Sequence, residues 1–106
     1  MKVLGQLSPA ATTLTTLYTV PALKVVTGSS LTACNQNSGD VTVRVSVAVA
    51  GAANDPKQYL YYDLPVGGKD TFTATIGITL SASDVVRVYS SATGVSFNLF
   101  GIEYDA

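Results

Sequence analysis

The sequence predicts an all-β fold, an antiparallel two-sheet β-sandwich of jelly-roll-like type with seven or eight short strands. Three observations carry that expectation. Between Asp40 and Gly51 the valines Val41, Val43, Val45, Val47 and Val49 take every second position, with Thr42, Arg44, Ser46 and Ala48 between them. That period of two belongs to a strand with one apolar face, because valine loses side-chain freedom in a helix and packs well on a pleated surface. Similar runs recur along the chain, separated by Gly, Asn, Asp, Ser and Pro at sandwich-like intervals. Some of these runs carry apolar side chains on both faces, which a sheet wetted on one side does not need. The chain holds no Trp and a single Cys, so the marks of an immunoglobulin sandwich are missing.

In chain order, residues 1–14 read as an N-terminal arm and residues 15–106 as a single sandwich domain. Residues 15–20 form a short strand at an edge, ended by Pro21, which lacks the ladder donor. Residues 24–27 lead through a bend or bulge at Gly28 into a strand over residues 29–35, with Leu31, Ala33 and Asn35 on one face and Thr32 and Cys34 on the other. Asn37, Ser38, Gly39 and Asp40 make a turn, and the valine strand is expected as the hairpin partner. After a loop over residues 51–56 the alternation resumes at residues 58–64, with Leu60, Tyr62 and Leu64 on one side and Tyr59, Tyr61 and Asp63 on the other. Gly67 and Gly68 lie in a turn, since no helix follows them as a phosphate-binding loop requires. Residues 71–76 alternate again, Gly77 interrupts, and residues 78–80 continue as a bent strand. A polar turn at residues 81–84 precedes a strand over residues 85–90, in which Val86 and Val88 oppose Arg87 and Tyr89. The last strand runs over residues 95–104, with Val95, Phe97 and Leu99 on one face and Asn98, Phe100, Ile102 and Tyr104 on the other.

Composition narrows the function. Charged residues make up 12% of the 106 positions, about half the usual share, which suits a protein packed into an assembly. Lys2, Lys24, Arg44, Lys57, Lys69 and Arg87 are scattered in a chain of net charge -1, so no phosphate-tracking stripe forms and nucleic acid is not an expected partner. Residues 1–11 are too short and polar for a signal peptide, and no apolar run reaches membrane-spanning length, so neither secretion nor a membrane is expected. Without histidine, the commonest general base and zinc ligand are missing, and the serines and Cys34 lack an activator. Cys34 is expected as a buried small hydrophobe. The carboxylates fall mostly at turns or strand ends, and no Asp-rich calcium loop of known spacing occurs. No enzyme activity, cofactor or metal is expected.

The segments TTLYTVP at residues 15–21, AGAANDP at 50–56, YLYYDL at 59–64 and FNLFGIE at 97–103, together with the arm over residues 4–9 and the strand-turn over residues 31–37, resemble small all-β virion proteins of tailed bacteriophages. The resemblance spans nearly the whole chain and rests on strands and turns, not on a catalytic signature. It implies a capsid decoration (cement) protein on the head surface, made in the host cytoplasm, that binds the major capsid protein or another virion protein as a homo-oligomer, a dimer or trimer. A tail, baseplate or fibre component is one alternative. A carbohydrate-binding β-sandwich module using Tyr59 and Tyr61 as an aromatic platform is another. The candidate protein contacts are Leu4, Leu7, Pro9 and Leu14 in the arm, Tyr59 and Tyr61 in the two-faced aromatic strand, and Phe100 and Tyr104 in the last strand.

Overall fold

The computed structural model describes residues 2–106. Eight strands follow in order: β1 (Lys2–Leu7), β2 (Thr15–Thr19), β3 (Lys24–Asn35), β4 (Val41–Ala48), β5 (Tyr59–Val66), β6 (Thr71–Leu80), β7 (Val85–Ser90) and β8 (Val95–Asp105). They form two four-stranded antiparallel sheets, ordered β1-β8-β3-β6 and β2-β7-β4-β5. Every connection except β4 to β5 crosses from one sheet to the other, which is the jelly-roll arrangement.

The core is the space between the sheets. Leu31, Val26, Phe97 and Leu99 from the first sheet meet Val43, Val45, Val86 and Val88 from the second, all at 1% exposure or less. Each such side chain contributes roughly 1.5–3 kcal/mol on burial. The sheets approach closely where β1 passes β2: a Cβ at Gly5 would overlap the Leu17 carbonyl oxygen, so only glycine fits.

Four expectations are corrected by this arrangement. The arm expected over residues 1–14 contains β1, which pairs with β8 from Lys2↔Gly101 to Leu7↔Phe97, while residue 1 lies outside the described residues. The bulge between Val3 and Gly5 turns Leu4 and Leu7 toward the core, and one edge of this segment is paired within the chain. The valine strand is not the hairpin partner of β3, because the turn at residues 36–40 carries the chain across to the other sheet. Nor does the valine stripe run its full length. The β4–β5 register shifts between Val43 and Val45 and again between Val45 and Ser46, and both Val45 and Ser46 are buried. The register with β7 stays continuous from Val43↔Ser90 to Ala48↔Val85, so Val47, opposite the buried Val86, keeps the inward parity and packs half-buried against the core. Ser46 and Ala48 are buried with the opposite parity, and the stripe ends at Val49, 71% exposed in a 3-10 turn. Lastly, Cys34 is half-buried on the outer side of β3, opposite Thr71 and Ser96, while Ala33 and Asn35 face inward.

One end of the sandwich is tied by a buried amide. The Asn35 side chain is 1% exposed, and its Nδ2 donates to the carbonyls of Gly39 at 2.9 Å, Val66 at 3.2 Å and Gly67 at 3.1 Å. Its Oδ1 accepts from the Asn37 backbone N–H and Nδ2, both at 3.0 Å, and Asn37 Nδ2 also donates to the Thr93 carbonyl. The β3–β4, β5–β6 and β7–β8 turns are thereby held to one another. Gly68 packs so closely on this knot that a Cβ would strike the Ser38 carbonyl.

Candidate contact face and aromatic groove

The outer side of the β1-β8-β3-β6 sheet carries no charged side chain at its outward strand positions. Register places Gln6, Asn98, Thr32 and Thr73 in one row, and Ser96, Cys34 and Thr71 in the next. Val3, Phe100, Ser30 and Thr75 form the row on the other side, followed by Ile102, Thr27 and Thr79, then Tyr104 and Val25. Gln6 Nε2 donates to Asn98 Oδ1 at 2.7 Å within the first row. Val3 is 50% and Tyr104 49% exposed, with Phe100 and Ile102 half-buried between them, so an apolar patch borders a field of hydroxyls and amides. The four charged residues of this sheet, Lys2, Lys24, Glu103 and Asp105, have the inward parity and lie together at one end.

At that end Tyr18 reaches across from β2 and donates its hydroxyl to Glu103 Oε2 at 2.5 Å, while Lys2 forms an ion pair with Glu103. The Lys2 ammonium first, then the Tyr18 hydroxyl, hold the Glu103 carboxyl below the ordinary glutamate range. Burial, reinforced by the neighbouring carboxylate, raises the Tyr18 phenol. A carboxyl whose folded pKa is depressed stabilises the fold above its unfolded pKa, about 4.3, and loses that contribution as pH falls through the lower folded value. The melting temperature of Glu103→Gln therefore lies furthest below that of the parent near pH 7, and the two curves converge below about pH 4. A gap that widens on acidification contradicts this assignment.

The outer side of the other sheet is polar and aromatic. Arg44 projects from β4 opposite Tyr89 of β7, with its guanidinium 4.4 Å from the Tyr89 ring centroid and 4.1 Å from that of Tyr62. Asp63 clamps it through Nε at 2.6 Å and Nη2 at 3.2 Å. Asp63 has a positive φ of 53°, and the residues on its two sides differ in direction. Tyr61 turns into the sandwich, edge-on to Phe72 at 5.0 Å, and Leu64 packs on the core, while Tyr62 is 60% exposed. The expected grouping of Leu60, Tyr62 and Leu64 on one face is thus broken.

Tyr62 meets Tyr59 edge-to-face at 5.0 Å and 86°, and with Arg44, Asn54 and Pro56 these rings line a depression of about 480 Å³. Its wall is a well-tethered loop. Asp55 caps the 3-10 turn Pro56–Gln58 by accepting from Lys57 N–H at 3.1 Å, and the buried Gln58 side chain donates to the Ala53 carbonyl at 2.9 Å and accepts from Asp55 N–H. Arg87 donates to the carbonyls of Ala52 at 2.9 Å and Gly51 at 3.4 Å, and the Asp84 carboxylate accepts from Ala50 N–H at 2.8 Å.

The expected contact residues are therefore divided. Phe100 and Tyr104 share the uncharged face, and Tyr59 lines the groove. Leu4 and Leu7 pack on the core, Pro9 is buried, Leu14 is half-buried and Tyr61 is turned inward. Tyr62 and Arg44 are the groove residues that alternation alone does not select, since the reversal at Asp63 has no glycine to announce it. Among the described residues no group of three or more Cys, Asp or Glu could hold a metal ion. Among the described residues no helix is long and apolar enough to cross a membrane. No protein-family model matches the chain, and no curated protein shows significant similarity to it.

Proposed function

We propose that this chain is a structural protein of a bacteriophage virion, a capsid decoration protein that binds the major capsid protein shell in many copies and stabilises it. The observation that carries the reading is the outer side of the β1-β8-β3-β6 sheet, four strands wide and without a charged side chain, bordered by Val3, Phe100, Ile102 and Tyr104. Burying such a face against another protein leaves no ion unpaired, which is the costliest failure of a protein interface. The resemblance of TTLYTVP, YLYYDL and FNLFGIE to small phage virion proteins supports the same reading. The backbone of β1 is already paired on one side, so adhesion falls to the sheet face and not to a free arm. A dimer or trimer would bind neighbouring capsomers at once, turning modest single contacts into tight attachment.

The test is quantitative mass spectrometry of purified particles of the virus that encodes the chain, with the parent and with a Thr73→Arg, Thr75→Arg variant. Both threonines are exposed, so the variant keeps the fold and introduces two charges into the face. Hundreds of parent copies per particle, falling at least tenfold in the variant, is the expected result. A dozen copies or fewer would place the chain in the tail, and absence from particles removes the reading altogether.

A further inference from the structure

We propose that the groove beside β5 is a binding site for a neutral saccharide unit. A volume of about 480 Å³ falls in the range of small-ligand sites and accommodates one or two sugar rings. Its two tyrosine rings stand at 86° to each other, and Tyr62 is 60% exposed. Aromatic faces carry a negative quadrupole, and the C–H groups of a pyranose present the complementary positive surface. Among the described residues the Asn54 amide and the Tyr59 and Tyr62 hydroxyls form no hydrogen bond. They supply donors and acceptors beside the rings, the combination that a polyhydroxylated, partly apolar ligand requires.

Charge selects against an anion. The guanidinium of Arg44 is held through two nitrogens by Asp63 and covered by Tyr62 and Tyr89. A phosphate or carboxylate ligand would have to displace Asp63, whereas an uncharged ligand leaves the pair intact. Arg44 instead fixes the Tyr62 ring, and Gln58, Asp55 and Arg87 fix the loop that carries Asn54 and Pro56. The site is thus formed before the ligand arrives, which lowers the ordering cost of binding. It remains open to water, so single-site affinity is weak, with Kd on the order of 1 mM. This site lies on the sheet opposite the proposed capsid-contact face, so its occupancy does not depend on that reading.

The experiment is titration of the isotope-labelled full chain with the methyl glycosides of glucose, galactose, mannose and N-acetylglucosamine, each to about 50 mM, followed by amide NMR shifts. At least one glycoside saturably shifts the amides of residues 44, 54, 55, 57–62 and 89. Tyr59→Ala weakens its binding at least tenfold, and Asn54→Ala, on an exposed loop where folding is not at risk, at least threefold. Leu23→Ala, in the exposed turn between β2 and β3, leaves it unchanged. Saturable shifts confined to another surface, or no saturable shift with any of the four glycosides, overturn the proposal. So does a sulfated or sialylated glycan, or a proline-rich peptide, that occupies the groove when the neutral glycosides do not.

Discussion

Val45→Asp abolishes folding, while Val47→Asp, two positions along the same strand, leaves a folded protein. Val45 is 1% exposed between β7 and β5, with Val88 and Tyr61 as its cross-strand partners. An aspartate there loses roughly 1.5–3 kcal/mol of apolar burial and adds several kcal/mol for a carboxylate with no cation in reach. That total approaches the whole stability of a small domain, about 5–15 kcal/mol. Val47, opposite Val86, packs against the core but is only half-buried, so a carboxylate in its place can turn to water and costs about 1–2 kcal/mol. Circular dichroism and urea titration of the two variants check the contrast. Equal damage at both sites would mean that Val47 is as closed to water as Val45.

Asn35→Ala is expected to destabilise the protein by about 3 kcal/mol or more, the largest loss among single polar substitutions. The amide is 1% exposed and serves the carbonyls of Gly39, Val66 and Gly67 while accepting from Asn37. Alanine leaves these groups unpaired at a site closed to water, and each unsatisfied buried group costs about 1–3 kcal/mol. The turns it joins belong to both sheets, so the variant should also show faster amide exchange at residues 36–40, 67–70 and 91–94. Asn37→Ala, whose side chain is half-buried, costs less. A urea midpoint for Asn35→Ala within error of the parent would show that the knot is incidental to stability.

The strands were legible in the sequence because their period is local. Thr15–Thr19, Lys24–Asn35, Thr71–Leu80, Val85–Ser90 and Val95–Asp105 form close to where alternation and turn residues place them, and Gly28 marks a register shift as expected. The inward set Val86, Val88, Val95, Phe97 and Leu99 follows directly from that alternation. What local pattern does not carry is the partner of each strand. The turn of Asn37 to Asp40 has the composition of a hairpin and yet joins two sheets, and β1, short and interrupted by Gly5, has its apolar residues matched only by the face of β8.

The groove was the least legible part. Its tyrosines were visible as a two-faced run, but which of Tyr59, Tyr61 and Tyr62 turn outward depends on the reversal at Asp63 and on Arg44, nineteen positions away in sequence. The stretch YLYYDLP looks the same whether Tyr61 or Tyr62 is exposed.

The sequence by itself determined that the chain is an all-β sandwich with a valine-rich, weakly charged make-up, because side-chain period, turn chemistry and composition are properties of neighbouring residues. Only the tertiary structure decided that β1 closes the first sheet, that all of that sheet's charges retreat to one end, and that Arg44 gathers Tyr62, Tyr89 and Asp63. Those arrangements follow from register and bulges, and a shift of one residue, which no local preference penalises, moves every later side chain to the opposite face.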